Sequence, residues 1–296
     1  MRSCRLLSLL VIFALVFGGG RAAARDASIA ASAIAGSDYV RAHDEKGVLR
    51  PESYVFAEGR YFPGNTHDGS LERMTFPAVT KILAAGLAKQ NYFPAAKVEA
   101  ADLIIMVHWG TTEIYEDPQR DLNQQALNDA TSSYNASIET TGKADPSALN
   151  MALSDREGAQ QGTAAAINRN AVLLGYARSL QRERHGFVPS TEEITMTNEL
   201  AEERYFVVLM AYGNQVRLKD KKSKPLWVTR VSVRSPGHNF TEALPALAKV
   251  GAEVFGQQHD DLVRVNTSLN RGSVKLGELE VLGTASEKAP PAQKEK

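Results

Sequence analysis

Two ten-residue stretches, ADLIIMVHWG at 101–110 and RYFVVLMAYG at 204–213, are apolar at odd and even positions alike. Successive side chains of a β-strand point to opposite faces of the sheet, so a strand of this kind needs apolar cover on both sides. The two stretches therefore predict central strands of a sheet that has packing layers on both faces.

The surrounding patterns extend this sheet and supply its helices. Aromatic or alternating apolar residues predict strands at 53–62, 226–235 and 272–283, and apolar residues at three- and four-residue steps predict helices within 71–90 and 239–258. The order strand, helix, strand from 53 to 112 predicts a βαβ unit with parallel strands. Strands 204–213 and 226–235 predict a hairpin. The fold class expected is α+β, a mixed sheet of about five strands with two amphipathic helices on one face.

Residues 113–203 have a different composition, which indicates an insertion into the core formed by residues 49–112 and 204–284. In residues 121–170, 29 of the 50 positions are Ala, Asn, Gln, Ser or Thr, a composition that cannot build a core of its own. Capping signals predict a helix from Pro146 to just before Gly158, a second over 163–184 and a third beginning near 191. We expect a largely helical insertion whose first part is mobile.

The chain opens with the pattern of a secretory signal peptide. Arg2 and Arg5 precede a short apolar run, and small residues lead to a cleavage position between Ala24 and Arg25. We therefore expect residues 1–24 to be removed and the mature chain, which has no transmembrane segment by sequence, to be exported to the periplasm or beyond. Residues 25–48 read as a loosely ordered lead-in and residues 285–296 as a disordered tail.

Cysteine and charge exclude several classes of function. The only cysteine, Cys4, lies inside the predicted signal peptide, so the mature chain has no disulfide, thiolate nucleophile or cysteine metal site. Cleavage would also remove three arginines, which leaves 31 basic against 34 acidic residues. This balance gives no overall attraction to nucleic acid, and a nucleic-acid partner is not expected.

Several phrases resemble a family of bacterial exported domains of unknown function, many of them lipoproteins. They are Tyr54-Val55-Phe56, the helix end Leu87-Ala88-Lys89-Gln90-Asn91-Tyr92, the run from Ala101-Asp102-Leu103-Ile104 into His108-Trp109-Gly110, and the later strand that carries Trp227. The resemblance implies an α+β fold and a cell-envelope location, and it implies no catalytic residue. This sequence lacks the lipid-anchoring cysteine of such lipoproteins, and it carries the 113–203 insertion.

His108 is the first candidate for a functional residue, because it lies with Trp109 at the end of a strand. One hypothesis is that His108 is a base or a ligand in a pocket that Trp109 walls. The other is that His108 lies at the rim of the core. Asp102 begins the same strand roughly 20 Å away, so it cannot orient the imidazole. The sequence favours the core reading.

Loop clusters are the remaining candidates. Basic residues crowd the tip of the hairpin, where they would contact an anionic polymer or surface or simply be solvated: Arg217, Lys219, Lys221, Lys222 and Lys224. His67-Asp68 and His259-Asp260-Asp261 supply fewer ligands than a dedicated Ca²⁺ site requires, so no metal site is predicted.

The motifs of nucleophile elbows, phosphate-binding loops, dinucleotide-binding loops and zinc proteases are missing from the sequence. We therefore expect no cofactor and no recognisable catalytic residue. The predicted function is a non-enzymatic binding or scaffolding protein of the envelope with an unknown partner, such as another envelope protein. The alternatives are an exported hydrolase with an unrecognised His/Asp site and a binder of anionic polymers through the 217–224 tip.

Overall fold

The computed structural model describes residues 25–141, 145–184, 186, 188–214 and 224–269. Its centre is one mixed sheet of seven strands in the order β3-β2-β4-β5-β6-β1-β7. The strands are β1 (Arg25–Ala35), β2 (Glu52–Phe62), β3 (Tyr92–Pro94), β4 (Leu103–Thr111), β5 (Arg204–Gly213), β6 (Trp227–Arg234) and β7 (Val263–Leu269).

The helices number seven within the described residues and lie on both faces of the sheet. They are α1 (Gly69–Glu72), α2 (Phe76–Ala88), α3 (Arg120–Thr141), α4 (Ser147–Leu174), α5 (Ala177–Glu183), α6 (Thr191–Ala201) and α7 (Phe240–Gly251). The protein is therefore α+β, as the sequence predicts. Among the described residues, no helix combines the length and the apolar character that a bilayer crossing needs.

The pairing of the inner strands follows the sequence patterns. β2 and β4 run parallel with α2 between them in the chain, and β4, β5 and β6 pair antiparallel in turn. β4 and β5 are both internal strands of the sheet, which explains why both of their faces are apolar. The βαβ unit and the hairpin are thus present.

α2 and α7 pack on one side of the sheet, which we call the first face. They seal the larger core against the odd-numbered side chains of β4 and β5, such as Ile105, Val107 and Leu209, which are fully buried. Phe240, Leu244 and Leu247 of α7 enter the same core. This face carries the hydrophobic burial that the two amphipathic patterns predict.

The insertion covers part of the opposite side, which we call the second face. Leu174 of α4, Tyr176, Leu180 of α5 and Met196 of α6 form a smaller core with Phe206 and its neighbours on the even-numbered side of β5. Ser190 caps α6 by accepting the backbone N–H of Glu193, as the capping pattern predicts. The helical character of the insertion agrees with its sequence.

Two expectations about the sheet are wrong, and a third is not tested. Residues 25–35 are not part of a loose lead-in, because β1 lies between β6 and β7 and buries Ile29 completely. The sheet has seven strands instead of about five, since β1 and the short β3 were not foreseen. The strand after α7 is β7, and the strand expected at 272–283 lies outside the described residues, as does the 285–296 tail.

The helices of the insertion also differ from the expected boundaries. α4 continues through Gly158, which has open space beside it and interrupts nothing. The break comes later, at Gly175, whose φ of +83° is a left-handed conformation that glycine adopts readily. The stretch expected to be mobile forms α3, which buries little beyond Ala130.

Candidate functional site

His108 lies on the second face and is held by a bulge of β2. The pairing of β2 with β4 shifts between Glu58 and Tyr61, and a Cβ at Gly59 would lie 2.7 Å from Nδ1 of His108. That Nδ1 accepts the backbone N–H of Arg60 at 2.8 Å. An accepting Nδ1 belongs to the neutral imidazole. Burial favours the same neutral form, because it lowers the pKa of His108. The ring thus caps an irregular backbone position.

Trp109 points to the first face, away from His108, so the pair does not form one pocket. Its indole stacks on Phe76 at 5.7 Å between ring centroids and lies 5.9 Å from Tyr61, and it is 3% exposed. Asp102 lies at the other end of β4, where its carboxylate accepts the backbone N–H and the hydroxyl of Ser53. The core reading of the two residues fits these contacts.

The loop aspartate of the His67-Asp68 pair has a structural task. One oxygen of Asp68 accepts the N–H and hydroxyl of Ser70, and the other accepts the Tyr205 hydroxyl at 2.5 Å. Burial would raise the pKa of Asp68, but these hydrogen bonds outweigh it and lower the pKa. Ser70 also accepts the backbone N–H of Phe240. Asp68 therefore ties α1 to β5 and to the start of α7.

The other expected sites separate into three groups. His67 is exposed beside Glu72, and within the described part of the chain no group of three His, Cys, Asp or Glu side chains could hold a metal ion. Lys224 is exposed, whereas Lys219, Lys221 and Lys222 lie outside the described residues together with Arg217. Ala24 also lies outside them, and Arg25 is the first residue of β1.

The most unusual polar group is Arg230 on the second face of β6, which was not among the residues predicted from sequence. Its Nε and Nη1 are buried and have no hydrogen-bond partner among the described residues. Burial lowers the pKa of Arg230. Buried N–H donors without a partner destabilise the folded state, and the loss is smaller where part of the group stays in water.

Three other arginines of this face have polar partners: Arg204, Arg234 and Arg264. Arg234 pairs with Glu202, whereas Arg230 has buried donors without a partner among the described residues. Arg204 donates to the hydroxyl and carbonyl oxygens of Ser232. Arg264 on β7 pairs with Glu192 and Glu199 of α6. The fold therefore supplies partners for guanidinium groups where the insertion covers the sheet, and it supplies none for Arg230.

Arg230 lies in a row of side chains that crosses four strands. The cross-strand register places His108, Val208, Arg230 and Ser32 side by side on the second face. Gly175 covers part of this row, since a Cβ there would lie 2.5 Å from the Ser32 hydroxyl and 3.0 Å from Cδ of Arg230. The end of α4 thus approaches the sheet closely at Arg230, and the residue as a whole stays partly exposed.

The next row along the same strands is apolar and only partly covered. We call it the apolar row; its members are Ala57, Met106, Met210, Val228 and Ile34, in order across five strands. Ala57, Met106, Met210 and Ile34 are partly exposed. Neither core cluster includes Met106 or Ile34. The insertion helices therefore leave this half of the second face incompletely sealed.

A separate concavity lies inside the insertion. A cavity of about 1180 Å³ opens between α3, α4 and the segment before α3, with Tyr115, Asp117, Arg120 and Arg156 on its wall. No buried polar atom without a partner is found among its described lining residues. The cavity therefore lacks the feature that marks Arg230, a buried polar atom without a partner.

Comparison with known proteins adds no family: no family model matches the chain, and no curated protein matches it. The candidate site therefore rests on its geometry. The sequence signal for Arg230 was the alternation in LWVTRVSVRS, where Arg230, Ser232 and Arg234 occupy one side. That pattern predicts a solvated face, and it is wrong for Ser232, which is 2% exposed.

Proposed function

We propose that this protein is an exported, non-enzymatic binding protein of the bacterial cell envelope, and that it binds its ligand on the second face beside Arg230. The observation that carries the binding part is the unpaired guanidinium at the border of the partly exposed apolar row. A fold that buries a cation without a partner loses stability. A ligand that supplies the partner would recover that loss.

Export is supported by the leader pattern and by the resemblance to exported domains of unknown function. The described part of β1 begins at Arg25, so cleavage after Ala24 would leave every described residue of the sheet in place. Removal of the leader would also remove Cys4, and the remaining chain would have no thiol to oxidise.

The test of export is the intact mass of the protein isolated from its native cells. The expected chain begins at Arg25 and is recovered with the envelope or periplasmic fraction. A chain that retains Met1 and stays in the cytoplasmic fraction would contradict export and would leave the binding proposal untouched.

The test of binding is native mass spectrometry of the wild-type protein and the Arg230→Met variant, both isolated from native cells. Arg60→Met is the matched control, because Arg60 is an exposed arginine nearby whose guanidinium lies 4.6 Å over the ring of Phe62. Wild type and the control should carry bound small molecules that denaturation releases, and Arg230→Met should carry less. Equal amounts on all three, or none on wild type, would contradict the proposal.

A further inference from the structure

We infer that the ligand of the second face is a single-chain amphiphile whose anionic head, a carboxylate or a phosphate monoester, pairs with Arg230 while its acyl chain lies along the apolar row. This inference rests on the proposed binding function and names its ligand class. It joins two observations on adjacent rows of the sheet, the unpaired cation and the incompletely covered apolar side chains.

The head group follows from the hydrogen-bonding capacity left over at Arg230. A guanidinium has five N–H donors and no acceptor, so its partner must present oxygen acceptors, and an anion is the strongest choice. The nearest groups across the strands are Ser32 and Val208, neither of which is charged. An arriving carboxylate or phosphate would therefore meet a cation without a competing internal acid.

The tail follows from the length and chemistry of the apolar row. From Val228, which neighbours Arg230, to Ala57 the row crosses three strand intervals, roughly 14 Å, which suits an extended acyl chain. The row is continuous across the register from Ala57 through Met210 to Ile34. Methionine side chains such as Met106 and Met210 adapt to irregular apolar ligands because they are unbranched and polarisable.

The relative position of head and tail favours an amphiphile over a simple anion. Arg230 follows Val228 by two residues on the same strand, so the guanidinium lies in the neighbouring row, directly beside the fourth member of the apolar row. A free inorganic anion would use Arg230 and leave the row partly exposed to water. A neutral lipid would cover the row and leave the guanidinium unpaired. One molecule that has both an anionic head and an acyl chain would pair the guanidinium and cover the apolar row.

The row's neighbour His108 does not compete for the head group. Its Nδ1 is engaged with the backbone of Arg60, and its imidazole is neutral in the geometry described above. Arg264 and Arg204 are already paired on the part of the face that the insertion covers. Arg60 is exposed to water and lies over the ring of Phe62. Among the described residues, Arg230 is therefore the arginine of this face with buried donors that lack a partner.

Binding is measured by titration calorimetry with the delipidated full mature chain. The probes are palmitate, a lysophosphatidate with a palmitoyl chain, hexadecanol as the neutral analogue, and inorganic phosphate as the head alone. The variants are Arg230→Met, the control Arg60→Met, and Met106→Gln, which keeps the length of the side chain but places an amide in the row. Circular dichroism and thermal unfolding establish that each variant is folded.

Palmitate, lysophosphatidate or both should bind wild type and Arg60→Met saturably at one site. Arg230→Met should bind the same probes at least tenfold more weakly, and Met106→Gln should also weaken them. Hexadecanol should bind wild type and Arg230→Met equally, because it has no charge to lose. Which acidic probe binds more tightly decides between the carboxylate and the phosphate head.

Equal binding of the acidic probes by wild type and Arg230→Met would overturn the inference, as would tight binding of inorganic phosphate alone. Failure of both acidic probes on wild type would also overturn it. In that case, a small molecule from native cells that binds wild type and is reduced on Arg230→Met would still support the binding function. The two proposals can therefore fail independently.

Discussion

The two faces of the sheet are built by different rules. The first face is sealed by two amphipathic helices that are close in sequence to the strands they cover, and its largest side chains are fully buried. The second face receives its helices from an insertion of 91 positions, 113–203, and it carries several arginines, of which Arg230 has buried donors without a partner among the described residues. The first face supplies most of the hydrophobic burial, and the second face therefore has room for polar and partly exposed groups. The predictions below test this division.

The largest expected effect is on the first face, at Trp109. Trp109→Ala removes a large aromatic side chain from between Phe76 and Tyr61 and should lower the free energy of unfolding by about 3–5 kcal/mol. Urea denaturation measures this, with Trp109→Phe as the control that retains a ring and loses less. If Trp109→Ala lost under about 1 kcal/mol, the first face would not be the tightly packed one.

Tyr205→Phe tests the polar connection at the edge of the first face. It removes the hydrogen bond to Asp68 and should cost about 2 kcal/mol at pH 7, since bonds to charged groups are worth roughly 1.5–3 kcal/mol. The hydrogen bonds lower the folded-state pKa of Asp68. Their stabilisation is therefore complete above the unfolded-state pKa and is lost as pH falls through the folded-state value.

Urea denaturation at pH 7 and at several points below pH 4 measures this pH dependence of the hydrogen bond between Tyr205 and Asp68. The difference between wild type and Tyr205→Phe should shrink as the pH falls. A difference that stays constant with pH would show that the hydroxyl acts through its other acceptor, the carbonyl oxygen of His238 at 3.3 Å, and not through the carboxylate.

On the second face, Arg230→Met should raise the free energy of unfolding, whereas the substitutions on the first face lower it. Replacing an unpaired buried cation by an apolar side chain of similar length often stabilises a protein, and we expect a gain of about 1 kcal/mol because the residue is partly exposed. Thermal unfolding of ligand-free protein is the measurement. Arg264→Met is the contrast, since it breaks the pairs with Glu192 and Glu199 and should destabilise. A loss of stability in Arg230→Met would mean that the guanidinium has a partner in solution.

The smallest effect is expected at His108. At pH 8, His108→Gln should change the free energy of unfolding by less than about 0.5 kcal/mol, because an amide oxygen can accept the N–H of Arg60. Burial lowers the folded-state pKa of His108. The wild type should therefore lose stability as the pH falls from its unfolded value near 6.5 through the folded value, and the variant should not. A variant that loses stability in parallel with wild type below pH 6.5 would contradict this role.

The first face could be predicted from sequence because its signals are local. The three- and four-residue apolar spacing of α2 and α7 and the double-faced apolar runs of β4 and β5 each fit within one element. β1 was missed because RDASIAASAIA is rich in alanine and serine, which have weak strand preference. Its place in the sheet is decided by pairing with β6 and β7, which are distant in sequence.

The candidate site could not be predicted for a related reason. LWVTRVSVRS shows only that Arg230 shares a side with Ser232. Whether that side meets water or protein depends on where the insertion packs, and the insertion has no strong amphipathic stripe to orient it. The position of His108 on a strand was visible in the sequence, and its contacts fit the core hypothesis. Its partner, the backbone N–H of Arg60, depends on a bulge that no sequence pattern indicated.

The position of β1 also determines when the protein can fold. Ile29 pairs with Val233 and Val265, so the first strand to leave the ribosome must wait for the last ones before it finds its neighbours. Long-range pairing of this kind slows folding because the intervening chain must be closed into a loop first. A chain that crosses a membrane through a narrow translocation channel has to remain unfolded until its end has been made. For the export proposed above, the pairing of β1 with β6 and β7 would supply part of that delay, because the described sheet cannot be completed before residues 227–269 have been made.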